Sequence, residues 1–466
     1  MTRRTLLAAP ALLLPSKAAA ERPNVLFIAS DDLNHSLGCY GHPQVKSPNI
    51  DRIASMGVRF DRSYCQFPLC GPSRTSLLSG LRPDSTRIKA NQIAIRDTVP
   101  NVVTLPQLFR NNGWHSSRFG KMYHMDVPGS VGTNKWDDPP SWDVAVSPPG
   151  REQHTEGEKR DRSQGAGAAA WEWVSFKGDG KDQADNTAAE LAMETMDKRR
   201  GGAFFIGLGF LRPHVPDVAP ARFFDLYPKS TIQVPQNPPG DRDDVPRASE
   251  IAINTRANDM GMNEDGMRDA IRSYYAAISY MDWQVGRVLA QLDKLNLTRK
   301  TMIVFWGDHG WHLGEHHRWH KRSLFEESAR APLIVAAPGR KGNGKGTKAL
   351  VEFVDIYPTL AELAGLKPPA NLEGQSMVPV LDNPARRWKT AAFTQMADKD
   401  IDGRSIRTER HRYTRWTGAY PDEELYDHSN DPREFTNLAR KPEHRALLDR
   451  MRATLDAGWR AARAKV

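Results

Sequence analysis

Long apolar runs are almost absent from this chain, which leaves little room for a membrane protein. The one strongly apolar segment is Leu6–Leu14, too short to span a bilayer. It follows Arg3-Arg4 and precedes Lys17 and Ala18-Ala19-Ala20, the order of a basic n-region, an apolar h-region and a small-residue cleavage site. Residues 1–20 therefore read as a cleaved export signal that leaves no membrane anchor behind. The arginine pair fits a twin-arginine signal, and a Sec-type signal is the close alternative. Either route puts the mature protein in the periplasm or outside a bacterial cell.

Cysteine is scarce as well, with Cys39, Cys65 and Cys70 the only three. In an exported protein an odd count leaves one thiol unpaired unless it has been converted to something else. No stripe of Lys and Arg interleaved with aromatics is present, so no nucleic-acid partner is expected. The net charge is modest: +9, falling to +6 when Arg3, Arg4 and Lys17 leave with the signal. A mildly basic surface suits an anionic ligand. No internal repeat occurs.

What is present is ordinary globular composition, 39% hydrophobic and 26% charged over 466 residues, enough for one large domain and a smaller one. The run Asn24–Ser30 is continuously apolar, as expected of a strand buried on both faces of a parallel sheet. Similar runs at Ala203–Gly209, Thr301–Trp306 and Pro332–Ala337 are separated by the helical patterns Asn186–Arg199 and Met267–Leu295. That alternation predicts an α/β sandwich with helices on both faces of the sheet. Residues 125–185, rich in Gly, Pro, Ser, Trp and charge, read as long excursion loops. Past Ala385 the segments Ser405–Trp416 and Glu423–Asp427, then a helix from about Glu443, predict a small antiparallel sheet with a terminal helix. The domain boundaries expected are thus 21–385 and 386–466.

Chemistry concentrates at three places. Asp31 and Asp32 follow the first strand, at the edge where open α/β sheets place their ligands, and offer hard oxygen ligands to a divalent cation. Asp308 and His309 follow the strand Thr301–Trp306 in the same way, so two strand ends deliver acidic groups to one edge. Between them lies Cys70-Gly-Pro-Ser-Arg74. Pro72 near its start and Gly80 past its end predict a short amphipathic helix with Cys70 at the N-terminus, where N–H groups and the dipole favour an anion. Arg74, one turn in, can brace that anion. A cysteine phosphatase loop needs five residues between its Cys and Arg, and here there are three. His312-Leu-Gly-Glu-His316 imitates an inverted zinc-peptidase motif, but Gly310 and Gly314 make it a loop rather than one helix face.

The Cys70–Arg74 run with Thr75-Ser-Leu-Leu-Ser-Gly80 resembles the signature of the sulfatase family. The likeness continues in order through Gly120-Lys121-Met-Tyr-His124, Arg212-Pro-His214, Asp308-His-Gly-Trp-His-Leu-Gly-Glu315 and Lys321, and also through Leu37–Gly41, Ser47–Asp51 and Phe224–Pro228. His309 stands where many sulfatases carry an amide, which matches the iduronate-2-sulfatase-like branch.

The resemblance implies a large mixed, mostly parallel sheet sandwiched by helices, with a smaller C-terminal antiparallel sheet plus helix. It implies that Cys70 is converted by a formylglycine-generating maturase to Cα-formylglycine, whose hydrate attacks sulfur. Cys39 and Cys65 would then remain as a pair or as free buried thiols. The implied metal ligands are Asp31, Asp32, residue 70, Asp308 and His309 around Ca²⁺, with Mg²⁺ the alternative.

By the same resemblance Asp308 takes the proton of the attacking hydroxyl, and His214 or Lys321 serves the leaving alcohol. His124 deprotonates the second hydroxyl so that sulfate is eliminated, while Lys121 and Arg74 orient sulfate and diol. The implied substrate is a sulfated carbohydrate, with a uronic acid 2-sulfate favoured. A phosphodiesterase or phosphonate ester hydrolase on the same scaffold is the competing enzyme reading, and a non-catalytic sulfated-glycan binding protein the competing class.

Overall fold

The continuous apolar runs become the centre of one sheet. The computed structural model describes residues 22–152, 158–161, 171–252 and 262–465; residues 1–20, read above as an export signal, lie outside them. The strands of the large sheet are β1 (Asn24–Ser30), β2 (Val58–Tyr64), β3 (His115–Gly120) and β4 (Val144–Val146). Between β4 and the next of them run β5 (Glu158–Asp161) and β6 (Glu172–Phe176). After β7 (Phe204–Phe210) and β8 (Asp217–Pro220) come β9 (Thr301–Gly307), β10 (His312–Leu313), β11 (Trp319–His320), β12 (Leu333–Ala336) and β13 (Lys345–Glu352).

The eight-stranded sheet has the order β13-β2-β12-β9-β1-β7-β3-β4. Only β12 runs antiparallel to its neighbours; the other pairings are parallel. Every residue of β1, β7 and β9 is buried, because helices cover both faces. Side chains alternate between two cores with the period of a strand. Leu26, Ile28, Ile303 and Phe305 join the helices Ala184–Arg199 and Glu264–Lys294 on one face. Val25, Phe27, Val304 and Trp306 join Leu77, Leu78 and the helix Ile356–Leu363 on the other.

The stretch read as excursion loops holds more structure than expected. β4 extends the main sheet and β5, β6 and β8 form a three-stranded sheet of their own; these strands are too short for alternation to reveal them. At the C-terminus β14 (Ala392–Asp398), β15 (Ile401–Arg407), β16 (His411–Gly418) and β17 (Asp422–Asp427) pair antiparallel in sequence order. The helix Arg445–Ala461 lays Leu448, Met451 and Leu455 on Ile406, Tyr413 and Leu425 of that sheet. The small antiparallel sheet with a terminal helix is as the sequence suggested.

Two glycines fix the path from β3 into the parallel-strand edge. A Cβ on Gly209 would sit 2.0 Å from the Lys121 carbonyl oxygen, and one on Gly120, at φ +78, 2.0 Å from the Gly209 carbonyl oxygen. The backbone of Lys121 therefore lies directly on β7. Gly209→Ala should cost about 1–3 kcal/mol by overpacking and push Lys121 outward; urea melting should show a lower midpoint, and an unchanged midpoint would mean the segment yields freely.

Candidate active site

β1 and β9 lie side by side with Ser30 opposite Gly307, so the residues that follow them emerge together. Asp31, Asp32, Asp308 and His309 are all fully buried. The turn is stitched by Asp308 N–H donating to Ser30 O at 3.2 Å and Asp32 N–H donating to Asp308 Oδ1 at 3.0 Å. Asp32 takes φ +58, a left-handed conformation that Asp tolerates better than most residues.

The helix Cys70–Ser79 delivers Cys70 to the same place. It begins at Cys70 after Leu69 in extended conformation and ends at Gly80, φ +68. The helix starts and stops where Pro72 and Gly80 signal, but it is not amphipathic: all ten residues are buried. Asn91 Oδ1 accepts the Gly71 N–H at 2.9 Å, and the Ser73 hydroxyl donates to the Asp308 carbonyl. Cys70 Sγ lies 3.0 Å from Lys321 Nζ, 3.4 Å from His309 Nε2 and 3.8 Å from Asp32 Oδ1. Neither Cys39 nor Cys65 forms a disulfide.

Three cations answer the three carboxylates. Arg74 donates from Nε to Asp308 Oδ2 at 2.8 Å, from Nη2 to Asp31 Oδ1 at 3.1 Å and from Nη1 to the Lys121 carbonyl at 2.5 Å. Its guanidinium also lies 5.6 Å over the Trp306 ring. Lys121 Nζ donates to Asp31 Oδ2 at 2.5 Å, and Lys321 Nζ donates to Asp32 Oδ1 at 2.5 Å.

Burial pushes Asp31 up, but Lys121, Arg74 and Lys321 together hold its carboxyl well below the usual range. Asp32 differs. Burial, with Cys70 and Asp31 adding to it against the pull of Lys321, raises it to about 8. His309 is pushed up to about 9, where Asp308 and Cys70 overcome the opposing effect of burial.

The histidines divide by position. His214 Nε2 lies 3.6 Å from Asp32 Oδ2, and its Nδ1–H donates to the Val215 carbonyl. Arg212, from the same motif, points away to Glu152 and the Val218 carbonyl and acts as a brace. His124 is not brought against Cys70: its Nε2 pairs with Asp126 Oδ1 at 2.9 Å and its ring packs on Trp136. Its electrostatic partners Lys121 and Asp31 nonetheless put it beside the cluster, where burial, with Lys121, lowers it to about 4.

His312 and His316 form no zinc-peptidase pair. One is on β10 bonded to Ser323, the other in a turn bonded to Asp241. Tyr274, whose hydroxyl donates to the Asp32 carbonyl at 2.7 Å and accepts the Asn34 N–H, was not foreseen. It arrives on a helix some 240 residues away with no local pattern to mark it.

The donor set fits a divalent cation. Asp32 Oδ2 is buried without a hydrogen-bond partner, which is costly unless something positive satisfies it. One ligand atom from each of Asp32, Cys70, Asp308 and His309 falls within 4.8 Å of the others, and Asp31, Cys70 and His214 form an adjoining group. Carboxylate oxygens in that number suit a hard cation.

Known proteins resemble this chain over most of its length. The sulfatase family model matches residues 23–366, and a model of the N-sulphoglucosamine sulphohydrolase C-terminal region matches 314–460. The chain is 32% identical to a sulfatase of Formosa agariphila, over 95% of this chain and 88% of that one. It is also 32% identical to the iduronate 2-sulfatase of Homo sapiens, over 89% and 90%. The phosphonate monoester hydrolase of Agrobacterium radiobacter shares the fold, with a TM-score of 0.80 at 23% identity, covering 94% of this chain and 95% of that one.

Two outcomes follow from the buried network. Arg74→Leu should destabilise the fold by about 3–5 kcal/mol, because it strands two buried carboxylates; a urea midpoint like that of the unchanged protein would refute the clamp. Adding Ca²⁺ or Mg²⁺ to chelator-treated protein should raise its stability by about 2.7 kcal/mol at a hundredfold excess over Kd. Asp32→Asn should lose that gain, and a variant that kept it in thermal melts would remove Asp32 from the ligands.

Proposed function

The chain belongs to the sulfatase family and is a sulfuric ester hydrolase, and from that premise we propose that it releases sulfate from a sulfated sugar of the iduronate-2-sulfatase type. The observation that carries this reading is the placement of Cys70. Its Sγ sits at a helix N-terminus among three buried carboxylates and the Lys321 ammonium, an environment built for an anion and an electrophile rather than for a structural thiol.

In this proposal residue 70 is Cα-formylglycine, made by a maturase, and Asp31, Asp32, Asp308 and His309 hold Ca²⁺ together with residue 70. The hydrated aldehyde supplies the nucleophile, and the cation a Lewis acid for the sulfuryl oxygens. The chain's own residues do the rest. Lys121, Arg74 and Lys321 offset negative charge where a sulfuryl group must sit, and they do so away from water, where each charge acts most strongly. Asp308 accepts the proton of the attacking hydroxyl.

The leaving oxygen is assigned to Lys321 in preference to His214. Lys321 Nζ already points at Sγ. His214 spends its Nδ1–H on the Val215 carbonyl, and burial keeps the ring neutral, so its Nε2 has no proton to give. It can hold a hydroxyl of the sugar instead. His124 is suited to take a proton: with Nε2–H donated to Asp126, its Nδ1 is buried and unpartnered.

We place the C-terminal subdomain at residues 386–466, with its four-stranded sheet and helix, and the catalytic domain before it. Among the described residues no helix is long and apolar enough to cross a membrane. The segment 1–20 is proposed to direct export to the periplasm or beyond.

Tryptic digestion of active, natively matured enzyme should give the peptide Ser63–Arg74 with an aldehyde at position 70; finding only the thiol would reject the nucleophile. Cys70→Ala should lower sulfate release by about a thousandfold or more with an unchanged melting curve. Across defined sulfated mono- and disaccharides, uronic acid 2-sulfates should react fastest. Faster turnover of aryl phosphonates in the same assay would favour the phosphonate hydrolase reading.

A further inference from the structure

The edge of the main sheet farthest from β4 carries a second concentration of positive charge. A cleft of about 1030 Å³ opens along the edge strand β13, walled by β2, by the segment Asn383–Thr390 and by the turn Thr408–Arg410. Eight basic and two acidic side chains line it; Arg59 is answered by Asp61, Lys389 by Glu352 and Asp355, and Arg410 by Asp427. It shares no residue with the catalytic cluster. Lys345 lies at the start of β13 opposite Val58, at the end of the sheet away from Asp31 and Asp308.

Five of these cations, Arg62, Lys345, Lys348, Arg386 and Arg387, make no side-chain hydrogen bond or ion pair among the described residues. Other surface arginines are answered by acids, Arg404 by Asp84 and Arg440 by Asp422 among them. The wall that holds them is anchored to the main domain. Thr347 Oγ1 donates to the Pro384 carbonyl at 2.5 Å, Trp388 is packed into the main core, and Lys389 is buried between Glu352 and Asp355. Arg386 and Arg387 are thus presented between fixed anchors, facing the lysines of β13.

Lysines on an edge strand also guard against edge-to-edge pairing. That role needs no second segment adding two arginines to the same space. Like charges gathered on one wall repel one another, and a polyanion lying along them would relieve that repulsion.

We propose that this cleft is an anchoring site for sulfated polysaccharide, binding a stretch of polymer remote from the ester being cleaved. The proposal rests on the sulfated-sugar reading of the catalytic site. A nucleic acid strand is the less suitable occupant: the one aromatic lining the cleft, Trp388, is only 7% exposed, which leaves no platform on which bases could stack. Fixed sulfates on a polymer need only spaced cations, and a second contact raises the local concentration of substrate at the first.

The test combines Lys345→Ser, Lys348→Ser, Arg386→Ser and Arg387→Ser, all exposed positions without ion pairs, in the mature metal-loaded enzyme. Binding to fluorescent heparin, used as the sulfated polymer, should weaken by about tenfold or more and lose much of its salt dependence. Hydrolysis of a sulfated monosaccharide should be unchanged while kcat/KM on a sulfated polymer falls. If the combined variant unfolds, the pair Lys348→Ser and Arg387→Ser should show the same split at smaller size.

Heparin binding equal to the unchanged enzyme would overturn the proposal, as would equal loss on monosaccharide and polymer. Stronger competition by oligo(dT) of matched charge would assign the cleft to nucleic acid instead. An enzyme that binds heparin through these four residues yet releases sulfate from no sugar would refute the catalytic reading and leave the cleft standing.

Discussion

The Arg74 guanidinium reaches Asp31 past β1, Asp308 past β9 and the Lys121 carbonyl past β3, with no solvent at any of these groups. It enters from the first turns of a helix whose own start is Cys70. Four chain segments, far apart in sequence, therefore meet on one planar cation. Its fork geometry is what a lysine could not reproduce, since a single ammonium cannot hold two carboxylates in fixed directions.

The charge arithmetic of the pocket follows from that clamp. With Asp32 ionised and His309 neutral, the forms in which they would ligate a metal, Arg74, Lys121 and Lys321 balance Asp31, Asp32 and Asp308. A divalent cation added to this balanced set leaves two positive charges in excess, the charge that a sulfate dianion would neutralise. Product and metal thus belong to one electrostatic unit. The orphaned Asp32 Oδ2 and the raised Asp32 mark the place where the balance is incomplete.

How much of this was legible in the chain depends on whether the cue was local. β1, β7 and β9 could be read because a strand buried on both faces must be apolar throughout, and the carboxylates were found because they follow those strands directly. The helix from Cys70 announced its ends through Pro72 and Gly80, yet its Ser and Thr residues suggested a solvent face where there is none; burial there is imposed by the sheet, not by the helix. Short strands such as β4 and β6 lie below the length at which alternation is visible. Tyr274 and Asn91 carry no motif, because their partners lie in distant segments. His124 was marked by its neighbours in sequence, but Asp126 and Trp136 decide where its ring points.

The complete burial of the helix Cys70–Ser79 sets an order of events in the life of the molecule. Any enzyme that modifies Cys70 must reach it before the pocket closes, so maturation competes with folding. The pocket cannot close until β9 pairs with β1 and brings Asp308 to Arg74. At roughly 5–20 residues per second, synthesis from residue 70 to that point takes about 12–50 s. Because β2–β8 and the helices between them lie in the chain between β1 and β9, the sheet acts in effect as a timer that leaves Cys70 open until late in synthesis.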